Sequence, residues 1–160
     1  MMTVYIALGS NLGDRLANLR AAVALLAENG IDVVAKSSVW QTAPVPADQP
    51  PFLNAVVRAE TELAPLDLLD ALKRSEWALG RRPERHWGPR PVDLDILFYG
   101  EEELVSERLT IPHERIVERN FVLAPLADVL PGPLPVIGKS ATELLAVVGS
   151  AGLERTGRVL

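Results

Sequence analysis

Asp93 and Asp95 are separated by one residue within the otherwise apolar run Val92-Asp93-Leu94-Asp95-Ile96-Leu97-Phe98-Tyr99. In a strand, residues two apart face the same side at roughly 7 Å spacing. Both carboxylates therefore converge on one face, and Val92, Leu94, Ile96 and Phe98 are expected on the other. Two like charges on such a strand repel each other unless a cation lies between them. A hard, oxygen-ligated ion such as Mg²⁺ suits two carboxylates completed by a ligand's phosphates. Alone, the pair would also fit a solvent-facing sheet surface with incidental acids. The preceding residues favour the metal: Arg81, Arg82, Arg85 and Arg90, joined by His86, crowd into one Pro- and Gly-containing segment. Guanidinium groups grip phosphate bidentately. Acids placed for a metal beside arginines placed for phosphates form the arrangement used in phosphoryl transfer.

Other residues extend this chemistry. Arg108, Thr110, His113, Arg115 and Arg119 make a second polar cluster, in which His113 follows Pro112 and could donate to a phosphate oxygen. Glu76 falls inside a helical apolar stripe with Leu69, Leu72 and Leu79. A carboxylate there needs a partner: a nucleotide sugar, a nearby arginine or a structural ion pair would each serve. Phe52 and Phe121 are two of three phenylalanines, and Asn54 shares a strand face with Phe52. Aromatic faces plus one amide suit a flat heterocycle.

The elements that must position these groups are legible from periodicity. Thr3 to Leu8 reads as a buried strand, and Gly9 to Asp14 as a turn into a helix capped by Asn11 or Asp14. Leu16, Leu19, Val23 and Leu26 make that helix amphipathic, ending at Gly30. Ile31 to Trp40 reads as one strand. Pro44, Pro46, Pro50 and Pro51 exclude regular structure between it and a further strand, Phe52 to Thr61, and mark a mobile loop. Pro65 opens a second helix. After the acidic strand come a short hairpin, a helix near Phe121 to Val129 and a last helix from about Ser140 to Val148. The order β-α-β-β-α-β, with accessory C-terminal helices, predicts an α+β, ferredoxin-like sandwich. Residues 1–160 are expected to form a single domain.

Composition narrows the partners. There is no Cys, so no disulfide or thiolate metal site exists. A net charge of −5 argues against nonspecific nucleic-acid binding. No apolar run approaches the ~18–20 residues a membrane span needs, and the N-terminal residues lack a signal peptide's basic region. A cytoplasmic monomer acting on small molecules is expected.

The run His86-Trp87-Gly88-Pro89-Arg90-Pro91-Val92-Asp93-Leu94-Asp95-Ile96-Leu97 resembles the signature of the 6-hydroxymethyl-7,8-dihydropterin pyrophosphokinases of folate biosynthesis. Ala7 to Gly13, Phe52 to Ala55 and Arg108 to His113 support the likeness, which covers nearly the whole chain. The resemblance implies ATP as donor, two Mg²⁺ ions, and AMP with the pterin diphosphate as products. It implies that Asp93 and Asp95 hold both metals, and that Phe52 and Phe121 sandwich the pterin. Asn54 would read the ring's amide edge, with Thr42, Val45 and Trp87 lining the same pocket. Glu76, Ile96, Arg108, Thr110, His113 and Arg119 would contact ATP. Arg81, Arg82 and Arg90 would close around the phosphates and form the catalytic set with Asp95; the second of these loop positions falls on Arg82, which would also meet ATP, or on Arg85. His86, Lys73 and Glu114 stand where the family commonly has Arg, Gln and Tyr, and Phe52 replaces a frequent Tyr.

Overall fold

Strand β1 (Met2–Ser10) lies at the centre of the molecule because its residues alternate between two cores. It runs antiparallel between β4 (Phe52–Thr61) and β5 (Asp93–Tyr99). Val4, Ile6 and Leu8 point to one face and pack with Leu19, Ala22 and Leu26 of α1 (Arg15–Glu28) and Leu68, Ala71 and Leu72 of α2 (Pro65–Ala78). Tyr5 points to the other, against Phe98 and α3 (Asn120–Val129), with α4 (Ala141–Val148) behind it. The structure, a computed structural model, describes residues 1–44, 47–80 and 91–160. Among the described residues no helix is long and apolar enough to cross a membrane.

Helix α1 starts at Asp14, whose carboxylate accepts the Ala17 N–H at 3.1 Å, which decides between the two expected caps. Helix α2 opens on Pro65, where the missing N–H costs no helical bond. In the sheet, β5, β1 and β4 are followed by β3 (Ser38–Thr42) and β8 (Leu153–Val159), an order that contains the expected ferredoxin-like core. Strand β6 (Leu104–Val105) pairs with β7 (Thr110–Ile111) as the short hairpin.

Three features differ from expectation. The strand expected over Ile31 to Trp40 is two, β2 (Ile31–Lys36) and β3 (Ser38–Thr42), both paired to β4. The break is at buried Ser37, whose N–H donates to Val56 O at 2.9 Å while its Oγ accepts the Val56 N–H at 2.9 Å. The hydroxyl replaces a backbone carbonyl in the ladder, so the chain can bend without leaving an orphan donor. The second difference corrects the placement of Phe98. Between Tyr5 and Ile6 the β1–β5 register shifts, pairing Tyr5 with Phe98 but Ile6 with Ile96. Leu97 is the extra residue of this bulge, and Phe98 turns to the face of the aspartates, edge-on to Tyr5 with ring centroids 6.1 Å apart. Third, a strand with no counterpart in the expected order, β8 (Leu153–Val159), follows the two expected C-terminal helices and joins the edge at β3.

Candidate active site

The α3 face of the sheet is only partly covered, because α3 begins at Asn120 and packs over the middle of β4. At the open end, register lines up Asp93, Gly9, Asn54 and Trp40 across four neighbouring strands. Ala7 pairs with Asp95 in the next row. Small residues at both β1 positions leave a floor on which a ligand can lie. A Cβ on Gly9 would come within 2.9 Å of Asn54 Oδ1 and 3.5 Å of the Phe52 ring, so no larger residue fits there without displacing them. Sequence reasoning placed Gly9 in a turn and gave it no such task.

Above this floor is a cavity of about 140 Å³ lined by Phe52, Asn54, Thr42, Asp93, Asp95, His113, Arg119 and Phe121, with Ile116 and Val122 as apolar backing. Asn54 Nδ2 donates to Thr42 Oγ1 at 2.6 Å, which fixes the amide and leaves Oδ1 above Gly9. The Arg119 guanidinium stands 5.5 Å from the Phe121 ring centroid. A second cavity of about 270 Å³ is lined by Lys73, Ile96, Arg108, Thr110 and Glu114, and again by Asp95 and His113. Its rim is tied by an ion pair between Arg108 and Asp70 of α2.

Electrostatics single out the shared residues. Burial raises the Asp95 carboxyl above the ordinary 3.8, and the Asp93 charge raises it further; His113, Lys73 and Arg119 oppose this. Asp95 is half-buried and lines both cavities, and burial remains the largest cause of the shift. At roughly 7 Å along the strand, two ionised carboxylates would repel by about 2 kcal/mol at an effective dielectric of 20. Bound cation removes that penalty. Among the described residues no three His, Asp or Glu side chains cluster for a metal, so a cation here needs ligand oxygens beyond the pair, the usual situation for Mg²⁺ on phosphates.

His113 is pushed below 6.5 by burial, against the pull of Asp95. Its backbone N–H donates to Leu97 O at 3.1 Å, the carbonyl of the bulge residue, and its ring Nδ1 accepts the Arg115 backbone N–H at 3.2 Å. The neutral ring therefore carries its proton on Nε2, as a donor. Burial lowers the Arg119 guanidinium from its ordinary value, with Arg115 adding to it, yet leaves it a cation.

Other expected residues lie elsewhere. Glu76 is 3% exposed and turns toward β5, where Oε2 accepts the Leu94 N–H at 2.7 Å and Oε1 meets Lys73 Nζ at 3.3 Å. It braces the residue between the two aspartates. Arg115 lines neither cavity and pairs with Glu118 at 2.6 Å. Val45, Arg81, Arg82, Arg85, His86, Trp87 and Arg90 lie outside the described residues. The turn after β1 has a further task that its sequence did not disclose. Fully buried Asn11 donates to Gln49 Oε1 at 2.8 Å and Pro50 O at 3.2 Å, and Arg15 donates to Pro51 O at 3.0 Å. These bonds hold the proline-rich loop where it delivers Phe52.

An aromatic cavity and a charged one that meet at Asp95 and His113, on a ferredoxin-like sheet, fit a small α+β group-transfer enzyme. Residues 5–131 match the model of the 7,8-dihydro-6-hydroxymethylpterin-pyrophosphokinase family, and the chain belongs to that family. It is 46% identical over 157 residues to the 2-amino-4-hydroxy-6-hydroxymethyldihydropteridine pyrophosphokinase of Methylorubrum extorquens, covering 97% of this chain and 99% of that one. It is 55% identical over 128 residues to the mitochondrial folate synthesis bifunctional protein of Pisum sativum, covering 79% of this chain. The chain spans about a quarter of the length of that plant relative (25%). In fold it is similar to the wild-type HPPK-DHPS of Plasmodium falciparum, with a TM-score of 0.73 at 15% identity, over 100% of this chain and 49% of that one.

Proposed function

We propose that the chain transfers the pyrophosphoryl group of ATP to 6-hydroxymethyl-7,8-dihydropterin, releasing AMP and the pterin diphosphate for folate synthesis. It would act as a single Mg²⁺-dependent domain, a monomer in the cytoplasm. The observation that carries this reading is that Asp95 and His113 line both cavities. A heterocycle in the first and a nucleotide in the second would bring hydroxymethyl and polyphosphate together there.

The reaction is in-line attack of the hydroxymethyl oxygen on the β-phosphorus, with AMP leaving. Phe52 and Phe121 stack on the pterin, and Asn54 Oδ1, fixed by Thr42, accepts from its ring N–H groups; Val45 and Trp87 are assigned to the same pocket. Ile96, Arg108 and Thr110 hold the nucleotide, Glu76 keeps β5 in place beneath it, and His113 Nε2 and Arg119 donate to phosphate oxygens. Asp93 and Asp95 would hold two Mg²⁺ ions, which supply charge neutralisation at the phosphates and acidify the attacking hydroxyl. Arg81, Arg82 and Arg90 are assigned to closing over the phosphates and excluding water, the competing nucleophile.

A coupled assay for AMP tests this. The account expects release that requires both the hydroxymethylpterin and Mg²⁺. Pyrophosphate release in place of AMP would mean a nucleotidyl transferase on the same scaffold, and pterin binding without turnover a non-catalytic module.

A further inference from the structure

The two walls of the aromatic cavity come from distant parts of the chain. One is the start of α3, which contributes Arg119 and Phe121; the other is the end of β3, which contributes Thr42 and Ala43. Between Arg119 and Phe121 sits Asn120, whose side chain does not face the cavity lining. Its Nδ2 donates to Gly149 O at 3.1 Å and to Ala151 O at 2.9 Å, both in the turn between α4 and β8. That same turn reaches the opposite wall: Gly152 O accepts the Ala43 N–H at 3.1 Å, and Leu153 pairs with Thr42. The connection continues along β8, where Arg155 covers the Trp40 ring at 4.4 Å and donates to Ser38 Oγ at 2.6 Å. The turn and β8 lie beyond residue 131, where the family match ends.

We propose that Asn120 is a positioning residue: by clasping the 149–152 turn it ties the α3 wall to the β3 wall and sets the width of the cavity that takes the flat heterocycle. The nature of that heterocycle rests on the proposed function; the clasp itself rests on the bonds just described. The physics is direct. A carboxamide –NH₂ has two donors and here both meet backbone carbonyls, so the first turn of α3 cannot shift without breaking one. A stacked ligand is sensitive to such a shift, because both ring faces must stay in contact. The nucleotide cavity shares no residue with the β3 wall and should not respond.

The test uses the full chain with Asn120→Ala, which removes both bonds, and Gly152→Ala. The latter attacks the same joint from the other side: Gly152 has φ 79°, and a Cβ there would meet Ala43 Cβ at 3.1 Å. Each variant should raise KM for the hydroxymethylpterin about tenfold, the worth of one or two hydrogen bonds, with KM for ATP changed by less than about twofold. The Ala43 amide should exchange with solvent about tenfold faster. A purely structural role would lower Tm and leave the ratio of the two KM values at the wild-type level. That result, or equal rises in both KM values, or an Ala43 amide as protected as in wild type, overturns the proposal. Absence of AMP release from the wild-type protein would sink the assigned reaction; Ala43 exchange would then decide on the clasp alone.

Discussion

The two cavities share Asp95 and His113 yet are built by different means. The first is assembled from strand faces and one helix start, with the small residues Ala7 and Gly9 leaving space beside Phe52, Asn54 and Phe121. The second is rimmed by flexible charged side chains, Lys73, Arg108 and Glu114, around a short hairpin. On the proposed function, shape would select in the first and charge in the second. Under the proposed function neither cavity alone would join a heterocycle to a polyphosphate, and Asp95 and His113, in the wall between them, are the residues that line both.

The largest break in this comparison should come at the wall. Asp95→Ala is expected to reduce AMP release on the order of 10³-fold or more, the several kcal/mol that an active-site metal contributes. Circular dichroism of the variant should match wild type. Next, Phe121→Ala should act on one side only, raising KM for the pterin by about 10- to 100-fold through lost stacking and burial, with KM for ATP unchanged in steady-state kinetics. Arg108→Ala should do the reverse, raising KM for ATP about tenfold, as loss of a charge-assisted contact does. If either substitution moved both KM values together, the division into two cavities would fail.

The smallest effect concerns stability. Burial and Asp93 raise the Asp95 pKa above 3.8, so the folded, ligand-free protein holds this proton more tightly than the unfolded chain. Its contribution is therefore fully present below about 3.8 and is lost as pH climbs through the raised value. At neutral pH Asp95→Asn should increase Tm by a few degrees in the absence of ligands, and Mg²⁺ with nucleotide should stabilise wild type more than the variant. A lower Tm in the variant at neutral pH would contradict the assigned direction.

Much of the site was legible because its signals are local. The two-residue spacing put Asp93 and Asp95 on one face, and Phe52 with Asn54 on another strand, and Pro65 marked its helix start. What escaped depends on partners far along the chain. The bulge at Leu97 shifts register against Tyr5 and Ile6, which no periodicity within β5 reveals, so Phe98 was assigned to the wrong face. Ser37 breaks a β-branched run because its hydroxyl meets Val56, nineteen residues on. Strand β8 is mostly exposed, Leu-Glu-Arg-Thr-Gly-Arg-Val, with no alternating apolar signal because backbone bonds to β3 hold it in place. Glu76 showed the opposite pattern. Its place in an apolar stripe announced a buried partner, and the Leu94 N–H is one.

If metal, polyphosphate and pterin meet at the wall between the cavities, a crystal structure with Mg²⁺, a non-hydrolysable ATP analogue and the hydroxymethylpterin should show it. Metal density is expected to touch carboxylate oxygens of both Asp93 and Asp95, with the analogue's phosphates on its far side and the pterin between Phe52 and Phe121. Metal and phosphates bound elsewhere, with the two aspartates directed away from them, would contradict it.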